Sequence, residues 1–212
     1  MSFNKRYNFR SKKNEDEDDE VEEENAGLIR SVNNHIYFYS PIDADSAIEL
    51  NTLIRKTQTN ILRKAVIEDT ISNDKYFGTT NTPITLHINS DGGEVMAAMS
   101  IVDTIRSSKV PIVSIIEGNA ASAATLISMV CHQRKIHKHA LMLIHQISGG
   151  FWGKMNEFED EMHNMKLTMK IVKKLYKEYT KIEDEKLNTI LKKDIWWNAK
   201  KCVKYGLVDE II

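Results

Sequence analysis

The apolar run Val110-Pro111-Ile112-Val113-Ser114-Ile115-Ile116, followed by Gly118-Asn119-Ala120-Ala121-Ser122-Ala123-Ala124, constrains this chain more than any other stretch. A short run dense in β-branched residues and bounded by glycine fits a buried strand. Beyond it the pattern predicts a tight turn and a helix beginning near Ser122. A hydroxyl at that point has free backbone N–H groups beside it, which favour negative charge. Its neighbours are too small to shield it. Taken alone, the segment also fits a small-residue helix packed on a sheet, with Ser122 as its cap.

Two further segments shift the balance. Leu141-Met142-Leu143-Ile144-His145-Gln146 is a second apolar run that closes on His and Gln. A histidine at the end of a buried strand sits at a sheet edge, where it is placed to take a proton from a serine, although a solitary histidine is more often structural. Ile84-Thr85-Leu86-His87-Ile88-Asn89-Ser90-Asp91 alternates into Gly92-Gly93, and Val95, Met96, Met99, Val102 and Ile105 follow at helical spacing. Paired glycines let backbone N–H groups point into a site with no side chain in the way. The same pair also serves as a plain strand-to-helix turn.

In this order, strand–GG–helix, strand–GxAAS–helix and strand–MLIHQ–loop–long helix, the chain resembles the ClpP family, the proteolytic subunits of Clp proteases. The resemblance covers roughly residues 30 to 212. It rests on Ile88-Asn89-Ser90-Asp91-Gly92-Gly93, on Gly118 to Ser122, on Met142 to Gln146 with Gly149-Gly150-Phe151, and on the ending Ala199 to Glu210. It implies an α/β fold of repeated strand-helix units, ClpP/crotonase-like, with a long handle helix. The nucleophile would be Ser122, the general base His145 and the third member Asp194, with the N–H groups of Gly93 and Ala123 as oxyanion donors. Substrate would add as a strand along Gly92, Glu94 and Val95 on one side and Ile147, Ser148 and Gly149 on the other. Recognition through the backbone carries little sequence preference.

These residue types suit the chemistry. A serine hydroxyl is a weak nucleophile until a base removes its proton. The carboxylate fixes the imidazole tautomer and stabilises the imidazolium without taking the proton itself. Asp194 is assigned by the resemblance alone. Four departures from the family pattern stand out: Asp91 where a proline is frequent, Ala123 where many relatives carry Met, Ile195 where a basic residue is common, and a long polar segment from Arg63 to Thr82. A backbone donor at Ala123 tolerates the side-chain change. Asp91 puts a carboxylate near the oxyanion side, and Ile195 removes a charge that relatives use between rings.

Composition fits one enzyme domain, 27–212, preceded by a charged tail, 1–26. Hydrophobic and charged shares of 42% and 28% are globular values, and the net charge of −1 conceals a segregation. Lys5, Arg6, Arg10, Lys12 and Lys13 precede a block in which every residue from Glu15 to Glu24 except Val21 is acidic. Such a block is expected to be disordered. No apolar leader follows the basic start, and the longest charge-free apolar stretch, Asn119 to Cys131, is too short to span a bilayer. Cys131 and Cys202 lack metal-ligand spacing and fit free thiols in a cytoplasmic protein. His132, His137 and His139 read as a solvated loop. No phosphate-binding loop of the Walker type, cofactor motif or nucleic-acid module is found, so ATP hydrolysis would fall to a partner.

From Met155, apolar residues recur at 155, 158, 162, 165, 169, 172, 176 and 179, and Leu167, Ile171 and Leu175 form a second row. One row docks a helix on its own core; a second suggests another surface to cover. In the family this helix interleaves stacked heptameric rings. The expected function is a peptidase subunit of a ring-shaped serine endopeptidase, acting on unfolded proteins delivered by a Clp-type ATPase unfoldase. A phage capsid-maturation protease, a crotonase-type acyl-CoA enzyme and a non-catalytic ring subunit remain open alternatives.

Overall fold

The structure, a computed structural model, describes residues 28–72 and 82–212. The expected tail, 1–26, lies outside the described residues. The chain enters as an antiparallel pair, β1 (Ile29–Val32) and β2 (His35–Phe38). Helix α1 (Ala44–Ser72) starts where the Asp43 carboxylate accepts from the Ser46 N–H (2.8 Å) and the Ser46 hydroxyl accepts from the Asp43 N–H (2.9 Å). That reciprocal arrangement satisfies donors that a helix start leaves unpaired. Ala47, Leu50, Ile54 and Ile61 bury one face of α1. The long polar segment from Arg63 is helical as far as Ser72, with no glycine or proline to interrupt it; residues 73–81 lie outside the described residues.

Strand–helix units follow: β3 (Ile84–Ser90) with α2 (Val95–Arg106), then β4 (Ile112–Ala121) with α3 (Ala123–Met129). Next come β5 (Gln133–Ile136), β6 (Leu141–Leu143), the long α4 (Met155–Tyr179), α5 (Asp184–Ile190), β7 (Trp196–Asn198), α6 (Ala199–Lys204) and β8 (Glu210–Ile211). One sheet runs β1-β2-β3-β4-β5-β8, parallel from β2 onward, while β6 pairs with β4 and β7 pairs with β6. Ile84, Leu86, Ile88, Ile112 and Ile116 of the central strands meet Ala98, Ile101 and Ile105 of α2 and Leu126 and Ile127 of α3 in one core. This is the α/β architecture of repeated units expected from the sequence.

The opposite face of the sheet carries a polar cluster. His35 Nδ1 lies 2.9 Å from His87 Nε2, His87 Nδ1 lies 2.7 Å from Glu117 Oε1, and Tyr39 donates to the other Glu117 oxygen. Burial opposes ionisation of Glu117, but the bonds from Tyr39 and His87 hold its carboxyl below the usual carboxylate range. Of the histidines read as a loop cluster, His137 lies 3.5 Å from Glu117, whereas His132 Nδ1 accepts from the Ile112 N–H.

Strand β4 changes partner along one edge. Val113 to Ile116 pair with β5, and Asn119 to Ala121 pair with β6. The change falls at Gly118, where φ is +82° and the register against β3 also shifts. A Cβ there would lie 2.7 Å from Asn89 Oδ1, which itself accepts from the Asn119 N–H. The small residues read as a turn are therefore the second half of a strand. Their size lets them fit between β3 and β6.

Helix α4 is divided. Val172 and Tyr176 are buried, and Met169, Leu175 and Tyr179 pack against the core. Arg134 fastens this end by donating to the carbonyls of Tyr179 (2.6 Å) and Gly206 (2.9 Å). Toward the other end, Met155, Phe158 and Met162 are 79%, 49% and 53% exposed. Phe151 meets Phe158 edge to face, while Trp152 is exposed.

Gly118→Ala puts a side chain into a left-handed conformation against a tethered amide. It should cost about 1–2 kcal/mol in urea unfolding. An unchanged midpoint would mean that the change of partner in β4 does not depend on glycine.

Candidate active site

Ser122 follows the end of β4 with φ 53° and ψ −123°, a conformation costly for any residue with a Cβ. Its N–H donates to the Leu143 carbonyl at the end of β6 (2.8 Å), and its own carbonyl accepts from the Thr125 N–H (3.0 Å) and the Thr125 hydroxyl (2.6 Å). The serine that ends one strand is thus bonded to the neighbouring strand that leads to His145.

Asp194 arrives from the other side of β6. Leu143 is paired with Trp196 in the antiparallel β6–β7 ladder, and extending that register sets Ile144 against Ile195 and His145 against Asp194. The side chains meet accordingly, with His145 Nδ1 lying 2.8 Å from Asp194 Oδ1. An ionised carboxylate only accepts, so the proton of a neutral His145 sits on Nδ1 and leaves the Nε2 lone pair free. The Gln146 N–H donates to the Leu191 carbonyl (2.8 Å) and ties the segment after β6 to the end of α5. Among the described residues no hydrogen bond joins Ser122 Oγ to His145. Such contacts tighten when substrate binds. The Asp194 side chain is 77% exposed and that of His145 27%.

The glycine pair lies against the same point. A Cβ on Gly92 would sit 2.5 Å from the Ala121 oxygen and 2.9 Å from the Ala123 nitrogen, and one on Gly93 would sit 2.1 Å from the Ile42 oxygen. The Ile42 N–H donates to the Gly92 carbonyl (2.9 Å), and the Ile42 carbonyl accepts from the Glu94 N–H (2.8 Å). A peptide unit is planar with N–H opposite C=O. The Gly92 carbonyl points at Ile42, so the Gly93 N–H points away from it. By the same rule, the Ala123 N–H points away from Thr125. Neither N–H has a partner among the described residues.

Of the expected substrate contacts, Gly92 and Glu94 have their backbone groups engaged. The Gly92 N–H donates to Ser90 Oγ (3.1 Å), and the Glu94 carbonyl accepts from Ala98 (3.0 Å), in addition to the bonds with Ile42. Val95, Ile147, Ser148 and Gly149 show no such engagement outside regular elements. Asp91, expected beside the oxyanion donors, accepts from Asn119 Nδ2 (2.6 Å) and is tied to β4. Sequence reasoning missed Ile42, Thr125 and Tyr176. The spacing of Thr125 from Ser122 suits a local hydroxyl–carbonyl bond, but nothing local marks the other two.

The Clp protease family matches over residues 34–212. Among curated relatives, the ATP-dependent Clp protease proteolytic subunit of Deinococcus radiodurans is 30% identical across 61% of this chain and 64% of its own length. Proteolytic subunit 1 of Streptomyces avermitilis is 30% identical across 63% of this chain and 62% of its own length. The chain thus matches less than two thirds of either. Proteolytic subunit 2 of Treponema denticola is 30% identical across 74% and 76%. Among solved structures, a mutant of ClpP1 from Listeria monocytogenes superposes with a TM-score of 0.65 at 26% identity, covering 82% of this chain and 88% of that one. The chain belongs to the Clp protease family.

Gly93→Ala should slow reaction of Ser122 with a fluorophosphonate by about 10²-fold, because the added methyl must push the segment off Ile42 and misdirect a donor. An unchanged labelling rate would remove Gly93 from the site.

Proposed function

We propose that the protein is the peptidase subunit of a serine endopeptidase assembled as a ring, cleaving unfolded polypeptides delivered by a Clp-type ATPase. The observation that carries this reading is the bond between His145 Nδ1 and Asp194, formed at the end of the strand to which Ser122 is tied. Family membership supports it.

In this mechanism His145 Nε2 takes the Ser122 proton as Oγ attacks the scissile carbonyl carbon. The electron pair moves onto the carbonyl oxygen, which the Gly93 and Ala123 N–H groups receive. Asp194 holds the tautomer and balances the imidazolium charge. Collapse of the intermediate breaks the C–N bond, and the imidazolium protonates the departing amine. Water, deprotonated by the same nitrogen, then releases the acyl group from Ser122. Substrate lies extended between Gly93–Val95 and Ile147–Gly149, bonded through its backbone. Gly92 and Glu94 hold the first of these segments on Ile42 rather than touching substrate.

The exposed half of α4 is the inter-ring surface in this reading, since the chain's own core leaves Phe158 and Met162 uncovered. Among the described residues no helix is long and apolar enough to cross a membrane.

Ser122→Ala should abolish both fluorophosphonate labelling and peptide cleavage while leaving assembly intact; labelling that survives would move the nucleophile elsewhere. Asp194→Asn should lower kcat by on the order of 10⁴ through the wrong tautomer, and near-normal turnover would remove Asp194 from the triad.

Phe158→Glu with Met162→Glu should split stacked rings in sedimentation, since an unpaired carboxylate is costly to bury. A particle of unchanged size would place the ring contact off this helix. Met169 is unsuitable for that test because it packs on the subunit's own core.

A further inference from the structure

A chain of buried hydroxyls ends on the nucleophile's carbonyl. Tyr176, on α4, is 1% exposed, and Thr125 is fully buried. The single Thr125 hydroxyl proton goes to the Ser122 carbonyl (2.6 Å), so the Tyr176 hydroxyl, 2.5 Å away, is the donor to Thr125 Oγ1. Burial pushes the Tyr176 hydroxyl pKa up, so it keeps its proton. With the Thr125 N–H also bonded to it (3.0 Å), the Ser122 carbonyl has both lone pairs filled from one side.

This matters because Ser122 has an easier conformation close by. A half-turn of ψ from −123° would leave it at about +57° with φ still at 53°, inside the left-handed helical region. With α3 held in place, that half-turn, matched by an opposite turn of the Ala123 φ, flips the peptide between Ser122 and Ala123. The carbonyl would then enter the site, and the Ala123 N–H would point into the core. The bonds on the carbonyl oppose this flip, together with the helical φ of Ala123, the first residue of α3.

We infer that Tyr176 and Thr125 are positioning residues that hold the Ser122–Ala123 peptide in the orientation that aims the Ala123 N–H at the substrate oxygen. The inference rests on the peptidase reading above. Neither side chain touches substrate. Thr125 acts on the carbonyl directly, and Tyr176 acts by fixing the Thr125 hydroxyl.

The test measures peptide cleavage, fluorophosphonate labelling and the affinity of a peptide aldehyde, whose hemiacetal oxygen needs the same donors, on full-chain variants. Thr125→Val keeps the volume and removes the hydroxyl; it should lower kcat by roughly 10²-fold and weaken the aldehyde in parallel, with KM little changed. Tyr176→Phe should lower kcat by about tenfold, and the double variant should be no worse than Thr125→Val, because both act through one bond. Thr125→Ser should restore most of the activity. Thermal midpoints are followed throughout, so that lost turnover is separated from lost fold.

Wild-type kcat in both single variants would overturn the inference. So would losses that track unfolding and are not rescued by Thr125→Ser. A wild-type protein that fails to react at Ser122 would instead overturn the peptidase reading itself.

Discussion

Strand β4 serves two neighbours on one edge, and the left-handed turn at Gly118 is what allows it to do so. Up to Ile116 the strand is an ordinary member of the parallel sheet, paired with β5. Past Gly118 it pairs with β6, and Ser122 comes off its end bonded to Leu143. Ser122, His145 and Asp194 come together through that second ladder. It brings β6 beside the serine, and β6 in turn pairs with β7, whose antiparallel register, extended two residues beyond Leu143 and Trp196, sets Asp194 opposite His145. A side chain at residue 118 would press on Asn89, which is bonded to the next backbone N–H. Each triad candidate lies within two residues of a strand end, Ser122 after β4, His145 after β6 and Asp194 before β7, which favours precise placement.

The two proposed oxyanion donors obey one rule. Each is the N–H of a peptide whose carbonyl is held from behind, Gly92 by Ile42 and Ser122 by Thr125. Peptide planarity converts a bond on the carbonyl into an aim for the N–H. Glycine is required at 92 and 93 because those peptides lie on the backbone of residues 121–123 and of Ile42, where a Cβ has no room. Ser122 has no such exemption. It keeps its side chain in a conformation worth about 1–3 kcal/mol of strain, and the surrounding bonds must offset that cost.

Much of this was legible in the residues. The glycine pair, the helix pattern from Val95, the serine after a small-residue run and the histidine ending an apolar run each carry a local signal, and their order points to one family. Asp194 was legible only through that resemblance, because its position comes from a ladder whose strands are separated in sequence by α4 and α5. The engagement of Gly92 and Glu94 by Ile42 was hidden for the same reason, since a bridge between distant segments leaves no periodicity. Residues 118–121 misled in a different way. Small residues read as a turn when judged by propensity, whereas here their size admits a strand between two neighbours.

Helix α4 also reads differently once packed. Its apolar stripe is continuous in sequence, yet only the half from Met169 onward meets the core. Tyr176 lies in that half, among the most buried side chains, and reaches Thr125 behind Ser122. A tyrosine hydroxyl at such depth needs a partner, and a hydroxyl in α3 supplies one. The packing requirement of the helix and the bonding of the Ser122–Ala123 peptide are therefore met by a single contact. Loss of that contact leaves the core nearly full, because the ring stays, but frees the carbonyl that sets the donor. Stability and site geometry are separable at this position by one oxygen atom, whereas at Gly118 they are not.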